Sequence, residues 1–151
     1  MNQKIIFESN NRRDICILNL KSSKMVSKNT SEIKISVTTA YDNLNSYPSE
    51  NRFVFRYHIE IENLGSFPVK LLSRKWIIYD LGFGFKEVEG AGVIGLTPVI
   101  EGGDKFSYFS NVMLKSGVGH MEGHYVFENG EKDTFNVGIP KFNLVSEVLS
   151  N

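Results

Sequence analysis

A run of alternating apolar and polar side chains constrains this chain more than any other feature. Between residues 53 and 62, five apolar residues occupy the odd positions, and Val54 followed by four polar or charged residues occupies the even ones. A repeat of two places side chains of one kind on one face of a strand. The run therefore predicts a strand with one buried face. A shorter run with Ile33, Ile35 and Val37 predicts a second such strand.

Short strand-like segments and turn signals fill most of the remaining chain. Asn129-Gly130 is a strong hairpin signal between the strand-like segments 120–128 and 132–139. Residues 105–115 fit either a helix stripe or a strand, and their aromatic content favours a strand. We expect Trp76 at the centre of a packed core. Seven to nine short strands and no convincing helix predict an all-β antiparallel sandwich.

Length and charge favour one domain behind a basic leader. The 151 residues suit a single domain, and the net charge of zero gives no uniform basic field for nucleic acid or a membrane surface. Residues 1–28 carry six basic side chains against Glu8 and Asp14. We therefore predict a polar, loosely ordered extension at 1–28 and a sandwich domain at 29–151. Met25 is a possible alternative translation start.

Cysteine usage and hydropathy favour a cytoplasmic protein. The single Cys16 cannot form an internal disulfide, which fits a reducing compartment. No apolar run approaches the roughly 18 residues of a membrane span. The apolar block at residues 16–18 is too short for a signal peptide.

A glycine-rich stretch is the only segment that looks like a named binding motif. Gly90, Gly92 and Gly95 have the G-x-G-x-x-G spacing of loops that wrap a pyrophosphate. That use requires a helix starting at the third glycine, and Thr97-Pro98 with the following glycines opposes a long helix. A glycine loop between two strands is the better interpretation.

The motifs of hydrolytic catalysis are missing, and metal sites are weakly indicated. The chain has no G-x-S-x-G, H-E-x-x-H or C-x-x-C. His120, Glu122 and His124 share one strand face, where adjacent members could hold an ion but the two histidines, about 13 Å apart, could not share one. Four acidic residues around the glycine loop could attract a hard cation, although no spacing resembles a dedicated cage: Glu87, Glu89, Glu101 and Asp104.

Several motifs in one order resemble a known family, the ApaG domain. They lie between about Glu32 and Val145: Asn63-Leu64-Gly65, Val69-Lys70-Leu71-Leu72, Arg74-Lys75-Trp76, Glu87-Val88-Glu89-Gly90 with Gly92, Val93, Gly95 and Pro98, then Gly119, Met121, Gly123 and Tyr125, and finally Ile139-Pro140 with Phe142 and Leu144. The resemblance implies an immunoglobulin- or fibronectin-III-like sandwich in a bacterial cytoplasmic protein. It also implies an association with cobalt resistance and magnesium efflux, and binding rather than chemistry. Ser116-Gly117 replaces the family's usual Thr-Pro, and we expect a looser loop there.

Together these observations predict a non-enzymatic binding module without a cofactor or a bound metal. We expect a protein partner, no nucleic acid and no membrane, and an indirect role in Co²⁺ and Mg²⁺ homeostasis. Gly90, Gly92 and Gly95 are the predicted binding loop, where missing side chains allow a close approach of the backbone. The alternatives are nucleotide or pyrophosphate binding through that loop, and direct sensing of a divalent cation. A monomer and an edge-mediated dimer remain open.

Overall fold

The computed structural model describes residues 24–149 and is built almost entirely from strands. The nine strands are β1 (Lys24–Thr30), β2 (Ile33–Tyr41), β3 (Phe53–Asn63), β4 (Val69–Asp80), β5 (Gly84–Ala91), β6 (Val99–Ile100), β7 (Lys105–Leu114), β8 (Val118–Glu128) and β9 (Thr134–Val145). Over these residues the only helical element is one 3₁₀ turn, Pro48–Glu50. No helix in this range is long and apolar enough to cross a membrane. The predicted all-β sandwich of seven to nine strands is confirmed.

Two antiparallel sheets form the sandwich. The first has the strand order β1-β2-β3-β7, and the second has the order β5-β4-β8-β9, with β6 also paired to β4. Strand β9 packs against β1 and β2, which closes one long side of the sandwich. On the other side, the edge strands β5 and β7 belong to different sheets and do not pair with each other. One side of the molecule is therefore closed and the other is open.

The alternation read from the sequence decides which side chains enter the core. Every odd residue of β3 from Phe53 to Asn63 is buried, and so is every odd residue of β2. Trp76 is 3% exposed and lies within 5.6, 5.9 and 6.4 Å, centroid to centroid, of Tyr57, Phe142 and Tyr125. The predicted central position of Trp76 is confirmed. Residues 105–115 contribute the strand β7, as their aromatic content indicated.

Two strands of the second sheet carry a register shift. Strand β4 runs without a break from Val69 to Asp80, and its pairing to β8 shifts register between Leu71 and Ser73. Near Pro140, β9 continues, but its register against β8 shifts between Met121 and Gly123. A bulge absorbs the missing proline N–H without ending the strand.

The predicted N-terminal extension needs correction where the structure describes it. Lys24–Thr30 pairs along its whole length with β2, from Lys24 opposite Thr39 to Thr30 opposite Ile33. Residues 24–28 therefore belong to the sheet. Within this strand Val26 packs against the core, while its neighbours face outward. The rest of the predicted extension, 1–23, lies outside the described residues. Its boundary and the proposed start at Met25 stay predictions.

Candidate functional site

The glycine motif lies along the outer edge of β4. Gly90 is the penultimate residue of β5, and Gly92 and Gly95 lie in the loop 92–98 that leads to β6, here called the glycine loop. Gly92 and Gly95 have φ angles of +57° and +76°, and Ile94 has +46°. Positive φ at both Ile94 and Gly95 gives a tight turn that joins Val93 to Leu96. No helix follows Gly95.

Three N–H groups of the glycine loop, those of Gly92, Val93 and Leu96, bond to the protein itself. Gly92 N donates to Leu72 O at 2.8 Å, and Val93 N and Leu96 N exchange 2.9 Å bonds with each other's carbonyls. A pyrophosphate cradle needs such N–H groups free and aimed at one point. Here they hold the loop against β4 and close its turn. The geometry therefore explains these glycines by backbone conformation, and a ligand role for them stays a prediction.

Gly90 makes room for an arginine side chain. Arg74 pairs with Gly90 across β4 and β5, and a Cβ atom at Gly90 would lie 3.0 Å from Arg74 Nη1. Nη1 also donates to the carbonyl of Gly92 at 2.7 Å and to that of Ala91 at 3.2 Å. The guanidinium thus fits in the space that Gly90 leaves free, and two backbone carbonyls hold it there. Its Nε–Nη2 edge makes no hydrogen bond to the residues that the structure describes.

A groove opens between the sheets on the open side, and we call it the β5–β7 groove. It has a volume of about 500 Å³ and is lined by residues of β4, β5 and β7, including Arg74, Trp76, Ile78, Val88, Val112 and Met113. Along β4 it extends from Arg74 to Asp80, a distance of about 20 Å at the usual rise per residue. This volume is typical of ligand pockets. Three cationic residues line it, Arg74, Lys86 and Lys115, against the single carboxylate of Asp80.

A tyrosine cluster lies between the sheets at the Arg74 end of the groove. The hydroxyl groups of Tyr108 in β7 and Tyr125 in β8 are 2.6 Å apart and link the two sheets. Burial raises the pKa of both phenols, so both stay protonated at neutral pH. Burial also raises the pKa of Tyr57, and a hydrogen bond with Ser110 and the charge of Arg74 oppose that increase. This end is polar, preorganised and positively charged.

Asp80 links the sheets at the other end of the groove. Its carboxylate accepts bonds from Lys115 N at 2.7 Å, Ser116 N at 3.0 Å and Ser116 Oγ at 2.5 Å. The 115–117 loop therefore donates three hydrogen bonds to Asp80. The expected loosening by Ser116-Gly117 stays a prediction. Gly117 has a φ of +75°, which the family's usual proline could not adopt. Lys115 Nζ lies 5.3 Å from the centre of the exposed Phe83 ring.

The candidates His120, Glu122 and His124 lie on the outer face of the second sheet. His120 contacts Tyr79 and Phe85, with centroid distances of 5.0 and 6.2 Å, rather than a second ligand. Burial, then the charge of Lys141, lowers the pKa of His120, and Glu122 opposes this shift. Within residues 24–149, no group of three histidine, cysteine or carboxylate side chains is placed to hold a metal ion.

Two of the four carboxylates near the glycine loop share one lysine, while Glu101 and Asp104 lie in the turn between β6 and β7. Lys75 Nζ lies 3.0 Å from a carboxylate oxygen of Glu87 and 3.0 Å from one of Glu89. Lys75 faces outward while Arg74 faces the groove, so the two cations do not form one basic stripe. The charged surface here is a set of exposed ion pairs, which contribute little to stability.

Sequence reasoning missed the groove because its walls are distant along the chain. Val88 and Met113 come from strands of different sheets, and no local pattern reports that these strands are both edges. One signal was available. Leu71, Arg74 and Trp76 all face inward on β4, with one extra residue inserted between Leu71 and Arg74. A cationic residue at an inward position indicates either a polar site or a bulge.

Comparisons with known proteins give a consistent family. The model of the ApaG domain matches residues 43–129. Protein ApaG of Maricaulis maris is 45% identical over 112 residues, which cover 74% of this chain and 86% of that protein. Protein ApaG of Proteus mirabilis is 38% identical over 122 residues, covering 81% and 98%. A crystal structure described as an ApaA protein from Bordetella pertussis superposes with a TM-score of 0.72 at 34% identity, covering 84% of this chain and 97% of that one.

Proposed function

The chain belongs to the ApaG domain family, and we propose that it is a non-enzymatic binding module that captures a segment of a protein partner. The segment lies in the β5–β7 groove, between the two edge strands. This proposal takes the resemblance to a binding family one step further, because it names a surface. The single observation that carries it is the open side of the sandwich.

The groove has the composition of a peptide-binding surface. Trp76, Ile78 and Val88 supply its apolar lining, and Phe83 and Met113 at its mouth are 58% and 52% exposed. Large apolar side chains grouped at the rim of a groove mark interaction sites more often than isolated ones do. The length of about 20 Å accommodates about six residues of extended chain.

The two edge strands add backbone groups to the same surface. Among the described residues, β5 pairs along its length only with β4, and β7 pairs only with β3. Their outer N–H and C=O groups are therefore available to an added strand. An extended partner that pairs with either edge gains main-chain hydrogen bonds, while its alternate side chains reach into the groove.

The link to divalent cations is an indirect one in this proposal. The resemblance associates the family with Co²⁺ and Mg²⁺, and we propose that the bound partner carries that role. Capture would take place in the cytoplasm, in keeping with the single Cys16. A strain in which Val88→Trp replaces the native chain should then show the same Co²⁺ sensitivity as a deletion strain, because the tryptophan fills the groove.

Site-specific photocrosslinking tests the proposed surface. A benzoylphenylalanine at Met113 should crosslink a partner in living cells, and Val88→Trp should abolish that crosslink. The matched control is the same probe at Met25, which is 72% exposed on β1, the edge strand of the closed side. Equal crosslinking from both positions, or crosslinking at 113 that survives Val88→Trp, would refute the groove as the site.

A further inference from the structure

We propose that Arg74 binds the C-terminal carboxylate of the partner segment in the β5–β7 groove. This inference rests on the proposed function, and it adds the chemistry of the occupant. It would make Arg74 the residue that fixes the direction and the end point of the bound chain.

The first argument is the state of the guanidinium. Arg74 is half-buried, and it forms no ion pair with any carboxylate among residues 24–149. Its Nη1 is committed to the carbonyls of Ala91 and Gly92. The remaining Nε–Nη2 edge has the fork geometry that binds a carboxylate through two parallel hydrogen bonds. A half-buried cation without an anion, on the wall of a groove, favours an anionic ligand.

The second argument is the position of Arg74. The residues that line the groove on β4 begin at Arg74 and continue through Trp76 and Ile78 to Asp80. A carboxylate bound at one end of a six-residue groove belongs most simply to a chain terminus. The acidic side chain of a longer segment would require the chain to continue past Arg74, where the glycine loop packs against β4.

The third argument is charge. The groove carries Arg74, Lys86 and Lys115, and its single carboxylate, Asp80, is already bonded to three donors of the protein. The lining therefore favours an apolar chain that ends in a negative charge. Trp76, Ile78 and Val88 would contact its side chains.

The test combines a change in the ligand with a change in the protein. The probes are two fluorescein-labelled hexapeptide pools, in which Leu, Ile, Val, Phe and Tyr alternate with Ser and Lys. One pool ends in a free carboxylate and the other in an amide. Binding is measured by fluorescence polarisation for the native chain, Arg74→Gln and Arg74→Lys. The matched control is Arg52→Gln, which changes an exposed arginine outside the groove.

We expect the native chain to prefer the free carboxylate by about tenfold or more, the effect of a lost charge-assisted pair. Arg74→Gln should weaken only the free-carboxylate pool, to the level of the amidated one. Arg74→Lys should be intermediate, because a single ammonium cannot bind in the bidentate manner. Gly90→Ala should weaken the same pool slightly, because the new Cβ displaces the guanidinium.

Three outcomes would overturn the inference. Equal binding of the two pools would refute the recognition of a terminal carboxylate by Arg74, but it would be consistent with the proposed function. Binding of decanoate as tight as that of the peptides would make the ligand a small acid. Failure of both pools to raise the fluorescence polarisation, together with no crosslink from Met113, would reject the proposed function as well. As a control, the melting temperature of each variant is measured to check that the variant folds.

Discussion

The closed and open sides of the sandwich are built from the same alternating pattern, but they end differently. On the closed side, β9 packs against β1 and β2, and Ile35 and Leu144 are 0% and 1% exposed. On the open side, β5 and β7 leave a groove, and Met113 is half-exposed. Alternation determines which face of a strand turns inward. Strand order determines whether a second layer then covers that face.

The first prediction contrasts the stabilities of the two sides. Ile35→Ala should lower the free energy of unfolding by about 2–5 kcal/mol, because it leaves a cavity in a core that cannot collapse fully. Met113→Ala should change it by no more than about 0.5 kcal/mol, because this side chain is already half in water. Urea denaturation measures both. A similar loss for both variants would mean that the open side is part of the core.

The second prediction concerns the glycine loop at the edge of the open side. Gly92→Ala should cost roughly 3 kcal/mol, because its Cβ would lie 2.0 Å from Leu96 O at a φ of +57°. Gly95→Ala should cost about 1 kcal/mol, since its φ is positive but no atom lies within 4 Å of the new Cβ. Thermal unfolding compares the two variants. The reverse order would favour a role for Gly95 outside the backbone geometry.

The third prediction tests the hydroxyl pair that joins the sheets beneath the groove. Tyr108→Phe or Tyr125→Phe alone should cost about 1–3 kcal/mol, because each leaves one buried hydroxyl without its partner. The double variant should cost less than the sum of the two, because both hydroxyls are then absent. A double-mutant cycle in urea measures this coupling. Strict additivity would show that the two groups do not interact.

The fourth and smallest effect is on pH dependence, and it compares the outer faces of the two sheets. Burial lowers the pKa of His58, which stacks on Phe109 at a centroid distance of 4.4 Å, and Glu60 opposes this shift. Burial and Lys141 lower the pKa of His120. A lowered pKa disfavours the protonated folded state. Stability should therefore be complete above the unfolded pKa of about 6.5 and fall as the pH drops through the lower folded values.

Histidine variants assign that loss to one face or the other. His58→Gln should remove the part that arises on the first sheet, and His120→Gln the part on the second. His120 Nδ1 is buried and has no hydrogen-bond partner among the described residues, so a proton added there would have no acceptor. Urea titrations from pH 5 to 8 would show both effects. An unchanged slope in both variants would assign the pH dependence to other groups.

The strands could be predicted from the sequence because their signal is local. The alternation around Tyr57 and Ile59 depends only on neighbouring residues, and the structure buries both side chains. The same holds for the hairpin at Asn129-Gly130 between β8 and β9. The motifs from residue 32 onward indicated the family for the same reason, because each motif is a short run of neighbouring residues.

The groove could not be predicted, because it depends on which strands are edges. The glycine motif was visible, but the reason for Gly90 is the guanidinium of Arg74, which reaches it only through the register of β4 and β5. The pairing of Lys24–Thr30 was missed because its side chains lack a sustained alternation, as expected for an edge strand with little buried surface. Non-local pairing thus accounts for the groove and for Gly90, and a weak local pattern accounts for the missed strand β1.

The links across the sheets bracket the groove, since Tyr108 and Tyr125 join them at one end and Asp80 joins them to Ser116 at the other. Because the sheets are linked at both ends of the groove, the groove cannot open or close by a hinge motion of one sheet against the other. We therefore expect docking by lock and key, with a small ordering cost for the receptor and a single kinetic phase of association. A rigid groove would then select its ligands by their shape, and chains with bulky side chains would not bind, because the groove cannot widen to fit them.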